Sequence, residues 1–177
     1  MRRLAIALSL LFAWTTVAGA ADDVLVMKVN DQTVRIELKP DLAPKHVERL
    51  KTLANQGFYD GLKFHRVIPG FMAQTGDPRG DGTGGSELPD LAAEFSDATF
   101  SRGVLGMARS ADPNSANSQF FIMYDDAPHL NGQYTVVGEV TEGMEAIDGL
   151  KMGTIANNGT VEDPDTITSM RTADQAG

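Results

Sequence analysis

The chain has 177 residues, 42% of them hydrophobic, with 24 acidic and 15 basic side chains and a net charge of −9. That length and apolar share support one domain with a real core. The acidic balance argues against non-specific nucleic-acid binding and against anionic membrane surfaces.

The first twenty residues stand apart from that core. Met1, Arg2 and Arg3 precede the apolar run "LAIALSLLFAWTTV", and "AGA" then supplies small residues at its last and third-last positions. This is the pattern of a secretory signal peptide, with the cut expected after Ala20. The run is broken by Thr15 and Thr16 and falls short of the roughly 20 residues of a membrane span. Residues 21–177 would then form the mature domain, with a net charge of −11 and no stable membrane association. The periplasm is the expected compartment, secretion the second choice. No cysteine is present, so an oxidising compartment would find nothing to crosslink and stability must come from packing.

In chain order, "VLVMKV" (24–29) and "TVRIEL" (33–38) flank "NDQ" and read as a hairpin. After Pro40 the period changes. In "APKHVERLKTLANQG", Val47, Leu50 and Leu53 or Ala54 recur at helical spacing, Pro44 suits the first turn and Gly57 the stop. "YDG" (59–61) turns the chain into "FHRVIPGFMAQTGD" (64–77), which reads as one apolar strand-like run. Arg66 sits inside it with no acidic residue until Asp77. A guanidinium among apolar side chains costs free energy unless it is paired or still reaches water. The residue reads either as one solvent-facing charge on a strand or as a polar tool at the rim of an apolar pocket.

The glycine-rich stretch 76–87 has no periodicity and is expected to be loop. "GVLGMA" (103–108), "SQFFIMY" (118–124) and "YTVVGEV" (134–140) are strand-like. "TEGMEAIDGLKMG" predicts a helix with Thr141 as N-cap and Met144, Ile147 and Leu150 along one face. "TITSM" (166–170) is a last strand before a polar tail expected to fray. Many short strands with one early and one late helix predict a closed or nearly closed antiparallel barrel capped by helices. Spacing alone does not separate that from an open α+β sheet.

Several chemistries fail on their motifs. The loop "GDPRGDGTGGSE" lacks the lysine and Ser/Thr of a phosphate-binding loop and does not run from a strand into a helix. No G-x-S-x-G elbow accompanies the serines and histidines, so nucleophilic hydrolysis is not expected. His46, His65 and His129 have no metal-binding spacing, and neither metal nor cofactor is expected. "RGD" (79–81) is too short to carry weight, and "NGT" (158–160) is a glycosylation acceptor only in a glycosylating pathway. What remains is a set of apolar residues with uncharged polar partners: Phe71, Met72, Gln74, Gln119, Phe121 and Leu130. From composition alone these read as ordinary core.

"FHRVIPGFMAQTGD", "GMARSADPNSANSQFFI" and "HLNGQYTVVGEV" together resemble the cyclophilins, peptidyl-prolyl cis-trans isomerases, in a form similar to the bacterial, periplasmic-type branch. The likeness covers roughly residues 24 to 170. It implies a mainly β fold, a closed eight-stranded antiparallel barrel with an α-helix at each end. It also implies a packed interior and a substrate groove on the outer face. Carried over by motif, Arg66 is the catalytic arginine and Gln74 positions Arg66 and the substrate. Phe71, Met72, Phe121 and Leu130 line the proline pocket, and Gln119 adds polar contact. Ala108 and the backbone of Arg109, where many relatives have asparagine, accompany the extended peptide. Tyr134 matches a position often tyrosine in bacterial members. His129 stands where tryptophan or phenylalanine is usual. Cyclosporin, which uses a tryptophan indole there in sensitive members, is therefore expected to bind weakly.

The implied partners are proline-containing polypeptides, met by a monomer. Rotation about a peptide bond faces a barrier of about 18 to 20 kcal/mol, and both X-Pro isomers are populated, so the obstacle is kinetic. No bond is cleaved, and no nucleophile is required. A peptide-binding holdase and a small-ligand barrel with an empty interior are the competing readings; the first needs the pocket but not Arg66 and Gln74, the second is opposed by the bulky strand residues.

Overall fold

Alternation builds the first hairpin. In the computed structural model, which describes residues 19–176, strand β1 (Val24–Val29) turns Leu25, Met27 and Val29 inward. Strand β2 (Gln32–Leu38) does the same with Val34, Ile36 and Leu38. Asn30 and Asp31 both take positive φ, 49° and 62°, the two-residue turn whose twist matches that of paired strands. Before β1 lies a single helical turn, α1 (Gly19–Asp22). The signal peptide expected over residues 1–20 lies, up to residue 18, outside the described residues.

Helix α2 (Pro44–Asn55) starts on the expected proline and buries His46, Val47, Leu50, Leu53 and Ala54. Its N-cap, Ala43, has no side chain to offer the first amides. Glu94 supplies the cap from a distant loop: its Oε2 accepts the N–H groups of Lys45 and His46, each at 3.1 Å, and His46 Nδ1 lies 2.6 Å away. Burial pushes the Glu94 carboxyl upward, but these bonds outweigh it and hold the carboxyl below its usual range.

The run 64–77 is not one strand. It folds into a hairpin of β3 (Arg66–Ile68) and β4 (Met72–Thr75). Gly70, at φ +68°, turns the chain, and the Phe71 N–H donates to the Ile68 carbonyl at 3.0 Å. Strands β5 (Val104–Met107), β6 (Phe120–Met123), β7 (Val136–Glu142) and β8 (Ile167–Thr172) follow, with α3 (Met144–Asp148) between the last two. Thr141 does not cap α3. It lies within β7 and donates to the Arg35 carbonyl, while Gly143, at φ +82°, takes the N-cap position. The helix also stops before Leu150, which is buried beyond its end.

All eight strands join one antiparallel sheet in the order β3-β4-β6-β5-β7-β2-β1-β8. The expected closed barrel is corrected by this order: the sheet is an open half-barrel with β3 and β8 as its edges. The three residues of β3 are covered by irregular chain rather than by β8. Val67 N–H donates to the Gly159 carbonyl at 2.8 Å, and Gly153 N–H donates to the Val67 carbonyl at 2.9 Å. The edge amides are thus satisfied without closure. Ahead of β3, the Lys63–Thr166 bridge and the backbone bonds of Phe64 N–H to the Asp165 carbonyl and Ile167 N–H to the Leu62 carbonyl, both 2.9 Å, span the gap to β8.

The sheet buries both faces over β4 to β7, so the strands there alternate between two cores. Ala73, Leu105, Met107, Phe120, Ile122 and Val137 join the interior with the β1–β2 residues and α2. Met72, Val104, Phe121, Met123 and Val136 face outward into a second cluster with Phe100, Ala127 and Leu130. Burial of each large apolar side chain contributes about 1.5 to 3 kcal/mol, and the interior carries most of them. The second cluster carries the site.

Candidate functional site

Register brings the polar residues together. Arg66 on β3 lies directly opposite Gln74 on β4, and Gln74 lies opposite Phe121 on β6. With Val67 and Ala73 turned inward, Arg66, Ile68, Met72 and Gln74 share the outer face.

A directed chain of hydrogen bonds runs across that face. Arg66 Nη1 donates to Gln74 Oε1 at 3.1 Å, and Gln74 Nε2 donates to Gln119 Oε1 at 2.8 Å. Gln119 Nε2 then donates to the carbonyls of Gly82, at 3.1 Å, and Gly84, at 2.7 Å. Because the guanidinium can only donate, it fixes both amide orientations down the line.

The other edge of Arg66 is held by one residue. Nε donates to the backbone carbonyl of Asn158 at 3.0 Å, and Nη2 donates to its side-chain Oδ1 at 2.9 Å. Asn158 sits in the left-handed region, φ 57°, at the end of the 3₁₀ turn Ile155–Asn157. Every acceptor on Arg66 is neutral, and no ion pair among the described residues includes it. Burial pushes its pKa down from the usual arginine value, with Tyr134 opposing the shift. An arginine so placed stays cationic. Of its five N–H donors, the three bonds named above leave two free.

Beside this charge is a cavity of about 160 Å³ with an apolar wall of Phe71, Met72, Phe121 and Leu130 and a polar rim, enough for one small ring, since a cavity of about 150 Å³ accepts benzene. Nine of the eleven residues expected at the site line it: Arg66, Phe71, Met72, Gln74, Ala108, Arg109, Phe121, Leu130 and Tyr134. Phe121 forms the floor, stacked on Phe100 at 5.6 Å between centroids and edge-on to Tyr134 at 5.7 Å. A side chain at Gly106 would strike the rings of Phe121 and Phe100, so glycine there is what lets the floor sit where it does.

The remaining two expected residues stand apart from the cavity. Gln119 lies one bond behind Gln74 and lines an adjoining polar cavity. His129 is exposed and stacks on Phe71, centroids 5.7 Å apart. Arg109 offers more than backbone. Its guanidinium lies 4.4 Å from the Tyr134 ring centroid and donates to the carbonyls of Gln133 and Ser110.

Asn158 is the functional residue that sequence reasoning missed. It is 92 positions from Arg66, and its only local signals are an Asn-Gly turn and a glycosylation triplet. None of the nine lining residues is a carboxylate, histidine, serine or lysine. The arrangement can grip a small apolar ring and aim a charged donor at it.

The sequence over residues 24–172 matches the family model "Cyclophilin type peptidyl-prolyl cis-trans isomerase/CLD". A probable peptidyl-prolyl cis-trans isomerase of Brucella suis biovar 1 is 55% identical over 173 residues, covering 92% of this chain and 88% of that protein. Peptidyl-prolyl cis-trans isomerase B of Bacillus subtilis is 45% identical over 130 residues, 73% of this chain and 90% of the other. Among solved structures, a cyclophilin from Hirschia baltica superposes with a TM-score of 0.78 at 26% identity, covering 89% of this chain and 76% of its own. A Cryptosporidium parvum cyclophilin-type isomerase, solved in the presence of the dipeptide Ala-Pro, gives 0.77 at 29% identity, covering 84% and 98%.

Proposed function

The chain belongs to the cyclophilin-type peptidyl-prolyl cis-trans isomerases, and from that premise we propose that Arg66 drives X-Pro rotation in exported proteins. The observation that carries this reading is the guanidinium at the lip of the 160 Å³ cavity, held by neutral acceptors with two donors free. Phe71, Met72, Phe121 and Leu130 grip the prolyl ring, and Ala108, Arg109 and Tyr134 close its other side. As the C–N bond twists, resonance is lost and the prolyl nitrogen regains a lone pair. That nitrogen becomes an acceptor only in the twisted state. A donor aimed at it therefore stabilises the transition state more than either planar isomer. Lowering the barrier by about 7 kcal/mol corresponds to about 10⁵-fold acceleration.

Gln74 and Gln119 serve as positioning residues, since they touch Arg66 directly or in series. The leader over residues 1–20 would deliver the mature domain to the periplasm, where newly exported chains expose proline. Cyclosporin binds weakly in this reading, because His129 presents a smaller ring on Phe71 than an indole would.

The test is a proline-isomer assay on a short peptide with the wild type, Arg66→Ala and Arg66→Lys. Both variants fold, and both lose about a hundredfold or more in kcat/KM, because an ammonium does not reproduce the planar fork. Wild-type turnover retained by Arg66→Ala would refute the mechanism. Mass spectrometry of the exported protein should find Ala21 at its N-terminus; a chain that keeps residues 1–20 would refute the localisation.

A further inference from the structure

His65, the residue before Arg66, is buried but does not line the proline pocket. Neither of its ring nitrogens has a hydrogen-bond partner among the described residues. A buried polar ring without partners costs free energy, and the mechanism above gives it no task. Its surroundings do. The ring lies against Gly82, where a side chain would come within 3.7 Å of Nε2.

Gly82 is where the relay from Arg66 ends. Its carbonyl accepts from Gln119 Nε2 at 3.1 Å, and its N–H donates to Asp77 Oδ2 at 2.6 Å. That oxygen also accepts the Asp81 N–H, and Oδ1 accepts the Arg79 N–H. One glycine therefore touches the His65 ring, the Asp77 carboxylate and the glutamine that orients Gln74. Burial pushes the His65 pKa below the usual 6.5. Asp77 and Asp81 on the loop and the Lys63 carbonyl oppose that shift, while Arg66 on β3 adds to it. The Lys63 carbonyl already accepts the Thr75 hydroxyl at 2.9 Å. Segment 153–161, whose Val161 N–H donates to the His65 carbonyl at 3.2 Å, contains no charged residue.

We infer that His65 is a positioning residue for the isomerisation: neutral, it seats Gly82 at the far end of the relay to Arg66, and protonated, it draws Asp77 off the Gly82 amide and releases that end. The inference rests on the isomerase reading, since the relay matters only where Arg66 is catalytic. A neutral imidazole has one N–H donor, whereas an imidazolium has two and a charge besides. Buried, that charge needs a partner. Asp77 is the buried carboxylate at hand. Although burial pushes its carboxyl up, the loop amides hold it below 3.8, so it is still ionised where His65 takes its proton. Its oxygens are already engaged, and an imidazolium bonding to either competes with the amides of residues 79–82. Displacing Gly82 moves the carbonyl to which Gln119 donates, and Gln74 and Arg66 follow in series.

The experiment measures kcat and KM for a proline peptide in the wild type and His65→Gln, from about pH 7.5 to about pH 4.5, a range that spans histidine titration. Wild-type kcat should fall by about fivefold, the equivalent of one hydrogen bond. KM should change little, because the apolar wall is untouched. His65→Gln takes no proton there, so its kcat should stay flat whatever its level at neutral pH. His46 and His129 are present in both proteins, and what they contribute cancels in the comparison. In isotope-labelled wild type, the Gln119 side-chain amide signals should move with the same midpoint as the His65 ring, a readout that does not depend on the variant folding. Three results would overturn the positioning role and leave the isomerase standing: a flat wild-type kcat, an acid limb that survives His65→Gln, or a His65 ring that titrates without moving the Gln119 amide. A wild type that turns over no peptide at neutral pH would overturn the isomerase reading and this inference with it.

Discussion

The neutral clamp on Arg66 makes a prediction that separates charge from position. Asn158 contributes two acceptors, a backbone carbonyl and Oδ1, at a φ of 57° that both Gly and Asp tolerate. Asn158→Gly removes only the Oδ1 bond. A hydrogen bond to a charged group contributes about 1.5 to 3 kcal/mol when buried, and Asn158 is exposed, so about 1 kcal/mol is the reasonable loss. That is about fivefold in kcat/KM, with the fold intact. Asn158→Asp keeps the bond and adds a negative charge where Oδ1 now lies 2.9 Å from Nη2. Two unit charges about 4 Å apart attract by about 4 kcal/mol at an effective dielectric of about 20, and exposure reduces the net effect to about 1 kcal/mol. The pair should leave thermal stability unchanged or raise it, yet lower kcat by about five- to tenfold, because part of the guanidinium's field is spent on the new carboxylate. A proline-isomer assay with separate kcat and KM, beside a thermal melt, reads both effects. If Asn158→Asp were as fast as wild type, the claim that Arg66 works because its partners are neutral would be wrong.

Other parts of the structure carry shorter predictions. Buried Asp77 accepts the backbone N–H groups of Arg79, Asp81 and Gly82 at 2.8, 3.1 and 2.6 Å. Burial pushes its carboxyl up, but these amides prevail and hold it below the ordinary 3.8. A depressed folded-state pKa contributes stability that is present above about pH 4 and fades as pH falls through the folded value. Asp77→Asn should therefore cost about 2 kcal/mol at neutral pH and progressively less in acid melts; a cost independent of pH would refute this. Gly106→Ala forces a methyl against Phe121 and Phe100 and should destabilise by about 1 to 3 kcal/mol, with a raised KM as the pocket floor shifts; an unchanged KM would place the strain elsewhere. His129→Trp enlarges the ring stacked on Phe71 and should tighten cyclosporin binding measured by calorimetry, where equal affinity for both proteins would remove His129 as the cause of weakness.

The strands were legible because their period is strict, and β1, β2 and α2 lie where alternation and helical spacing put them. The break at Pro69 and Gly70 had a local signal, the Pro-Gly dipeptide of a turn, but the apolar residues Phe64, Val67, Ile68, Phe71 and Met72 on both sides of it made the run read as one strand. Alternation there is masked because the β3–β4 hairpin buries residues on both faces, Val67 and Ala73 on one and Met72 on the other. Closure was not legible either. Whether β3 meets β8 depends on the irregular residues 153–161, which take its edge amides through Gly153 and Gly159. The cap on α2 comes from Glu94, 48 residues beyond His46, and the clamp on Arg66 from Asn158. Both are side-chain contacts across the fold, and no window of sequence contains them.

That distance has a mechanical consequence. Arg66 stands on the edge strand of an open sheet, where a closed barrel would have given it a ladder on both sides. Its backbone is held on the β4 side by the ladder and on the other by a loop whose turn is set by Thr154 and Asn157 capping one another. The guanidinium follows the same division, bonded to β4 through Gln74 and to the loop through Asn158. The interior core lies behind Val67 and Ala73 and makes none of these contacts. Interior packing can therefore fix the strand while the loop tunes the charge. Substitutions in residues 154–158 should accordingly move kcat with little change in thermal stability, whereas interior substitutions such as Phe120→Leu should lower stability first and turnover only as folded protein is lost.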